Sequence, residues 1–246
     1  MIDRYQKQIV LPEIGESGQK HLANASVLIA GAGGLGVIVA SYLVAMGVGT
    51  IGICDFDKVE VSNLHRQILF SPSDIGKSKV SVLAEKLRLQ NPNIIINRIE
   101  KKIEKNSVTE IAKNYQIICD CTDQGMSRTI INDYCAEHKK VLVHGAVSDW
   151  QGYITVFHYL NGFCLKDIFD FNDYLKSESC SEIGVVSPIC GIIGSYMTTE
   201  TIKVILNLED VLEGEILYVN LLNNQIRKIN IKKKLANRLF SICRIL

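Results

Sequence analysis

From Ala25 to Cys54 the chain carries no charged side chain, and seven glycines interrupt that run. A hydropathy window would score the stretch as a membrane span. The glycines instead divide it into a β-branched segment, a turn, an apolar helix and a second β-branched segment. This succession predicts a strand at Ser26–Ala30, a helix from Leu35 to about Met46 and a strand at Thr50–Cys54, apolar throughout as buried parallel strands are. Helices covering both faces of a sheet are the architecture that accommodates it.

The alternation continues along the chain. Asp74-Ile-Gly-Lys-Ser-Lys79 leads into a helix to about Leu89, stopped by Asn91-Pro92. Strands are predicted at Ile94–Ile99, Gln116–Asp120, Val141–Val147 and Tyr153–Phe157, with helices at Val108–Lys113 and Arg128–Glu137 between them. The expected fold is α/β: a Rossmann-like, mainly parallel sheet with helices on both faces and right-handed crossovers, extended by a C-terminal helix and β-hairpin region. One domain is expected over 1–246. Its parts are a leading stretch 1–24 with one helix at 13–24, an α/β core over 25–158 and a flexible loop over 159–187. The last part, 188–246, holds a helix at Pro188–Leu206, a hairpin around Asn223-Asn224 and a tail.

Lys and Arg number 27 against 26 Asp and Glu, so the overall field favours neither nucleic acid nor a membrane surface. From Ile226 onward the chain holds seven basic residues and no acid, either a solvated face or a dock for an acidic partner. The N-terminus lacks the apolar core of a secretory signal, and a cytosolic protein is expected. Eight cysteines are then expected as thiols rather than disulfides. Cys54, Cys119 and Cys121 lie in apolar runs as small hydrophobes, whereas Cys180 sits in a polar stretch, Ser177-Glu-Ser-Cys-Ser-Glu182, that solvent can reach.

Three loops follow predicted strand C-terminal ends, where ligands bind in open α/β sheets. The first, Gly31-Ala-Gly-Gly-Leu-Gly36, lets the backbone approach a phosphate at a helix N-terminus. The second starts at Asp55-Phe-Asp57, where a carboxylate can hold a ribose hydroxyl, and runs on through Asn63-Leu-His-Arg66. An arginine there is of little use to hydride transfer and suits a triphosphate whose charge must be neutralised. The third is Asp120-Cys-Thr-Asp123. Together they point to ATP rather than NAD.

These motifs form an ordered set with Arg4-Tyr-Gln-Lys-Gln8, Leu11-Pro-Glu, Ser62-Asn-Leu-His-Arg-Gln67, Ile75-Gly-Lys-Ser-Lys79, and Ser179-Cys180 ahead of Gly184-Val-Val-Ser-Pro188. With them the chain resembles the MoeB/ThiF/HesA family, bacterial relatives of ubiquitin-activating enzymes. The resemblance implies adenylation of the C-terminal carboxylate of a small ubiquitin-like sulfur carrier protein ending in Gly-Gly, of ThiS or MoaD type. The pathway would be thiamin or molybdopterin biosynthesis, with a separate sulfur donor and a homodimeric enzyme. By the same resemblance Asp55 would hold the ribose, and Gly31, Gly33, Gly34 and Gly36 would pass the phosphates. Arg66 and Lys79 would bind triphosphate oxygens, Asn63 would position them, and Asp123 would hold Mg²⁺. Asp57 either joins the nucleotide site or serves the loop alone.

Three departures from the family pattern stand out. An arginine that reaches the partner subunit's ATP is replaced by Lys7, which keeps the charge but loses the planar fork. The family's two Cys-x-x-Cys pairs read Cys164-Leu-Lys-Asp167 and Phe240-Ser-Ile-Cys243, so structural zinc is not expected. Cys180 matches a cysteine that some ThiF-like members link covalently to their carrier and MoeB-like members do not need. Its neighbours Glu178 and Glu182 oppose a thiolate. Two rival functions remain: a peptide-modifying adenylase of the same superfamily, disfavoured by the short stretch before the first strand, and a non-catalytic partner subunit, disfavoured by Arg66, Lys79 and Asp123.

Overall fold

The computed structural model of the protein describes residues 2–168 and 184–231. One eight-stranded sheet organises it, from β1 (Ser26–Ala30), β2 (Thr50–Cys54), β3 (Ile95–Ile99), β4 (Ile117–Asp120) and β5 (Val141–Ser148) to β6 (Gln151–Phe157), β7 (Glu215–Asn220) and β8 (Gln225–Asn230). The spatial order is β3-β2-β1-β4-β5-β6-β7-β8. The strands from β3 to β5 pair in parallel, and β6, β7 and β8 continue the sheet antiparallel. The expected mainly parallel α/β fold with helices on both faces of the sheet is what forms.

Pleating sends alternate side chains of each strand into two cores. Val27 and Ile29 join one core with Leu43 of α3 (Gly34–Met46), Leu83 of α4 (Lys79–Gln90) and Met197 of a long helix at Ser187–Leu206. Leu28 and Ala30 join the other, with Ile111 of α5 (Val108–Ala112) and Ile131 and Tyr134 of α6 (Gly125–His138). The Ser187–Leu206 helix is long and apolar enough to cross a membrane by composition, yet it packs on α3, β5 and β6. Gly194 permits that contact, since a Cβ there would lie 2.8 Å from Ile38.

Three segments differ from expectation. The leading stretch holds two helices, α1 (Ile2–Ile9) and α2 (Gly15–Asn24), where one was expected. Tyr5 docks α1: it is buried against Gly47, and its hydroxyl accepts a hydrogen bond from Asn91 Nδ2 at 2.8 Å. Secondly, β6 starts at Gln151, and the Asp149-Trp150 turn, with Asp149 at φ 51°, folds β6 back onto β5.

Thirdly, the described part of the 159–187 loop is held in place rather than loose. The Glu213 carboxylate accepts the backbone N–H groups of Tyr159, Leu160, Asn161 and Gly162 at 2.8–3.1 Å. A short helix, α7 (Leu165–Ile168), follows, and Cys164 N–H donates to Asp167 Oδ2 at 2.8 Å, so these two residues form a local cap. With Ser187–Leu206 as α8, eight α-helices are present among the described residues. Cys180, Phe240, Cys243 and the basic tail beyond Ile231 lie outside them.

Candidate active site

The turn between β1 and α3 can be built only with glycine at two of its positions. Gly31 adopts φ +99°, and a Cβ on it would sit 2.7 Å from the Cys121 carbonyl oxygen. A Cβ on Gly36 would sit 1.9 Å from the Gly31 carbonyl oxygen. Removing both side chains draws the turn against the β4 loop and the helix against the turn. α3 then starts with Gly33 as N-cap and no side chain capping it, so its first-turn N–H groups have no side-chain acceptor among the described residues and favour an anion. Gly31, Gly33, Gly34 and Leu35 line a cavity of about 330 Å³ there, while Gly36 is packed beneath and does not reach it.

The β2 loop supplies the second wall. Asp55 Oδ2 accepts Ala32 N–H at 2.7 Å and Oδ1 accepts Asp57 N–H at 2.8 Å, which fixes the carboxylate and leaves lone pairs on both oxygens. Burial raises its pKa, opposed by Lys79 and these two N–H donors. Lys79, the first residue of α4, lies with Nζ 2.8 Å from Asp57 Oδ2, and its side chain is only 7% exposed. Asn63 is buried in a one-turn 3₁₀ segment, its Oδ1 accepting Glu60 N–H at 3.1 Å and its carbonyl accepting the N–H groups of Arg66 and Gln67. Arg66 Nη1 donates to the Ser62 carbonyl at 2.9 Å.

Asp123, on the β4 loop, also lines the cavity, and its exposed carboxylate pairs with no described residue. A hard oxygen donor of that kind beside bound phosphates fits Mg²⁺. The structure thus brings Gly31, Gly33, Gly34, Asp55, Asp57, Asn63, Arg66, Lys79 and Asp123 to one cavity. Lys7 is elsewhere. Its neighbour Gln8 donates to the Met46 carbonyl at 2.9 Å, so α1 sits at the far end of α3, a helix of 13 residues and about 20 Å long at 1.5 Å per residue.

Sequence reasoning missed other wall residues: Lys101 and Lys102 beyond β3, Arg128 on α6, and Gln67. Arg128 donates from Nε and Nη2 to the Thr122 carbonyl at 3.0 and 2.8 Å. Gln67 is 2% exposed, and its Oε1 has no hydrogen-bond partner among the described residues. The two lysines follow the C-terminal end of β3, where ligands bind in such sheets, but they stand in Glu100-Lys-Lys-Ile103, which has no glycine or motif to mark a ligand loop. The cavity therefore faces five cations, Arg66, Lys79, Lys101, Lys102 and Arg128, against the acids Asp55, Asp57, Glu60 and Asp123. Such a site suits a polyanion carried in with a metal ion.

The ThiF family profile matches residues 5–243. This chain belongs to the ThiF family. A probable molybdopterin-synthase adenylyltransferase of Gracilaria tenuistipitata var. liui is 38% identical, covering 99% of this chain and 71% of that one. The sulfur carrier protein adenylyltransferase of Thermus thermophilus is 36% identical, covering 94% and 88%. An adenylyltransferase and sulfurtransferase MOCS3 of Dictyostelium discoideum is 42% identical over 95% of this chain, which spans 55% of that relative's length. Among solved structures, E. coli MccB with ATP superposes at TM-score 0.80, with 22% identity over 93% of this chain and 71% of that one. PaaA superposes at 0.79, with 21% identity over 94% and 73%. In this ThiF-family chain the shared fold places the strand ends and the α3 N-terminus around the cavity.

Proposed function

We propose that this ThiF-family chain is an ATP-dependent adenylyltransferase that activates the C-terminal carboxylate of a small Gly-Gly-ending sulfur carrier protein. The observation that carries the reading is one cavity holding a helix N-terminus without a side-chain cap, a ribose-suited carboxylate at Asp55, the cations Arg66 and Lys79, and the Asp123 carboxylate, which pairs with no described residue. Relatives at 38% and 36% identity are named a molybdopterin-synthase adenylyltransferase and a sulfur carrier protein adenylyltransferase, which supports the carrier over a short peptide. The MccB likeness, at 22% identity, speaks for the fold alone.

In the proposed reaction the carrier carboxylate attacks the α-phosphorus of ATP, the bond to the bridging oxygen breaks, and pyrophosphate leaves with the released electron pair. Asp55 orients the ribose through the lone pairs its two N–H donors leave available. The α3 N–H groups, Arg66 and Lys79 neutralise charge that grows on the leaving phosphates, which is where fixed donors contribute most. Asn63 holds the 3₁₀ turn from which Arg66 projects. Mg²⁺ at Asp123 would supply further charge neutralisation.

Lys7 is too far from its own cavity to act there, so its contribution is to a second subunit in a homodimer. The acyl-adenylate needs no thiol. Sulfur from a separate donor, and Cys180 if it reacts, act after it forms. The setting is the cytosol.

Exchange of labelled pyrophosphate into ATP, dependent on the carrier, is the test. Arg66→Ala is expected to lower it about 100-fold or more, the usual cost of deleting one charge-stabilising donor. Undiminished exchange in a folded Arg66→Ala protein would sink the assignment.

A further inference from the structure

Behind the cavity, the sheet interior contains an ionisable chain that the proposed reaction leaves unused. Asp120, the last residue of β4, and His144 of β5 are both fully buried. Asp120 Oδ2 lies 2.9 Å from His144 Nδ1, and His144 Nε2 lies 3.0 Å from the hydroxyl of Tyr153 on β6. The other carboxylate oxygen, Oδ1, accepts the Thr122 backbone N–H at 3.0 Å and the Thr122 hydroxyl at 2.7 Å.

We propose that His144 is a positioning residue: with Tyr153 behind it, it holds the Asp120 carboxylate in the orientation that clamps Thr122 and so aims Asp123 into the cavity. The role rests on the adenylation reading given above. Thr122 is gripped from both sides, its N–H and hydroxyl by Asp120 and its carbonyl by Arg128. Asp123 follows directly and has no described partner of its own. Its direction is therefore set by the residue before it, and that residue by Asp120.

The hydrogen positions follow from chemistry. An ionised carboxylate only accepts, so the proton shared with Asp120 sits on His144 Nδ1. Nε2 is then an acceptor, and the Tyr153 hydroxyl donates to it. Burial drives the imidazole toward its neutral form. Burial also opposes charge on Asp120, but the His144 hydrogen bond, the nearby Arg128 guanidinium and the Thr122 hydroxyl outweigh it and hold the carboxyl below its ordinary range. A buried carboxylate is tolerated only with its acceptors filled. Deleting the imidazole leaves Oδ2 unpaired in the core, and the carboxylate must rotate, protonate or admit water. Each of these loosens the grip on Thr122.

The test measures Mg²⁺-dependent nucleotide binding by calorimetry, with no carrier present, beside carrier-dependent pyrophosphate exchange. His144→Ala is expected to raise the Mg²⁺ concentration for half-saturation about tenfold or more, the usual effect of removing a group that orients a metal ligand. Binding of ATP without metal should change less than threefold. His144→Asn, whose amide nitrogen can occupy the place of Nδ1 and donate to Asp120, should recover most of the loss. Nitrogen-15 NMR of the histidine ring should show hydrogen on Nδ1 and none on Nε2.

Wild-type Mg²⁺ dependence in folded His144→Ala, or His144→Asn no better than His144→Ala, overturns the proposal. If His144→Ala does not fold, Tyr153→Phe and His144→Asn carry the comparison. Tyr153→Phe should shift the Mg²⁺ dependence in the same direction, and hydrogen on Nε2 in the wild type would overturn the assignment independently. Wild-type protein that binds no nucleotide would instead overturn the adenylation reading itself.

Discussion

Lys79 Nζ lies 2.8 Å from Asp57 Oδ2, and the lysine is nearly buried whereas the aspartate is 48% exposed. The same two residues are tied through the backbone, Lys79 N–H donating to the Asp57 carbonyl at 3.0 Å. An acid therefore holds the cation in the cavity wall until a stronger anion competes for it. A triphosphate would take the ammonium from this carboxylate readily, since the aspartate is about half exposed and water can replace the lysine on it. Lys79→Ala is expected to weaken ATP binding and to lower exchange about 100-fold. Asp57→Asn should bind ATP at least as tightly as wild type, because it removes the competitor. Calorimetry on both variants checks this, and equal weakening would make Asp57 a nucleotide ligand instead.

Asp74 ties down the long connection that delivers Asn63, Arg66 and Lys79. It accepts from the Ser71 N–H at 3.0 Å and pairs with Lys86. The Lys86 hydrogen bond first, and the Ser71 hydroxyl next, hold its carboxyl well below the usual range. A carboxylate depressed on folding stabilises above its unfolded pKa, about 3.9 for Asp, and loses that contribution as pH falls toward the folded value. Asp74→Asn should cost about 1.5–3 kcal/mol at neutral pH, the range for hydrogen bonds to a charged group. The difference in stability from wild type should narrow as pH drops below about 4. Denaturant unfolding across pH measures it, and a gap that does not change with pH would show that the charge is irrelevant.

The strands and the glycine turn were legible because burial on two faces leaves little choice of residue: β1 and β2 form over the predicted Ser26–Ala30 and Thr50–Cys54. α1 was not: Ile2, Tyr5 and Ile9 recur at helical spacing, but over only eight residues that are otherwise polar, too short a periodic run to mark a helix on its own, and the docking of Tyr5 on Gly47 is what holds it. Among the cavity residues, the charged ones in motifs were found, whereas Gln67, which ends the Ser62–Gln67 motif, was missed because a neutral amide does not announce a ligand. Arg128 was missed because it acts through the Thr122 carbonyl, which no side-chain pattern announces. The Asp120–His144–Tyr153 chain was invisible for a similar reason: its members sit on β4, β5 and β6, and only strand pairing brings them together.

Burial keeps most described thiols out of covalent chemistry. It pushes Cys54 and Cys119 up to about 12 and raises Cys121 and Cys135 as well, whereas attack needs a thiolate. A covalent link to a carrier thus falls to a cysteine outside that group, and Cys180 is the candidate its sequence context offers. Cys180→Ala should leave pyrophosphate exchange within about twofold of wild type, because the acyl-adenylate forms without a thiol. Wild type given carrier, ATP and a persulfide donor should form a reducible higher-mass species that the variant lacks. Abolished exchange in folded Cys180→Ala protein would overturn this division of labour.

Lys7 provides the sharpest test of assembly. It sits on α1 beside the C-terminal end of α3, while the cavity opens at the N-terminal end, about 20 Å away at 1.5 Å per residue. A lysine side chain cannot cross that distance, so an effect of Lys7 on catalysis must be exerted on a neighbouring subunit. Lys7→Ala is expected to reduce exchange about tenfold, less than Arg66→Ala, because an ammonium lacks the two-pronged contact that arginine makes. Lys7→Arg should raise the rate above wild type. When Lys7→Ala and Asp123→Ala subunits are mixed, a mixed dimer contains one cavity with an intact Asp123 and an intact Lys7 supplied by the other chain. Activity should then return toward half the wild-type value, although neither parent is active at that level. Failure to recover in dimers shown by mass to be mixed would remove Lys7 from the active site and leave the five cations of the cavity to act alone.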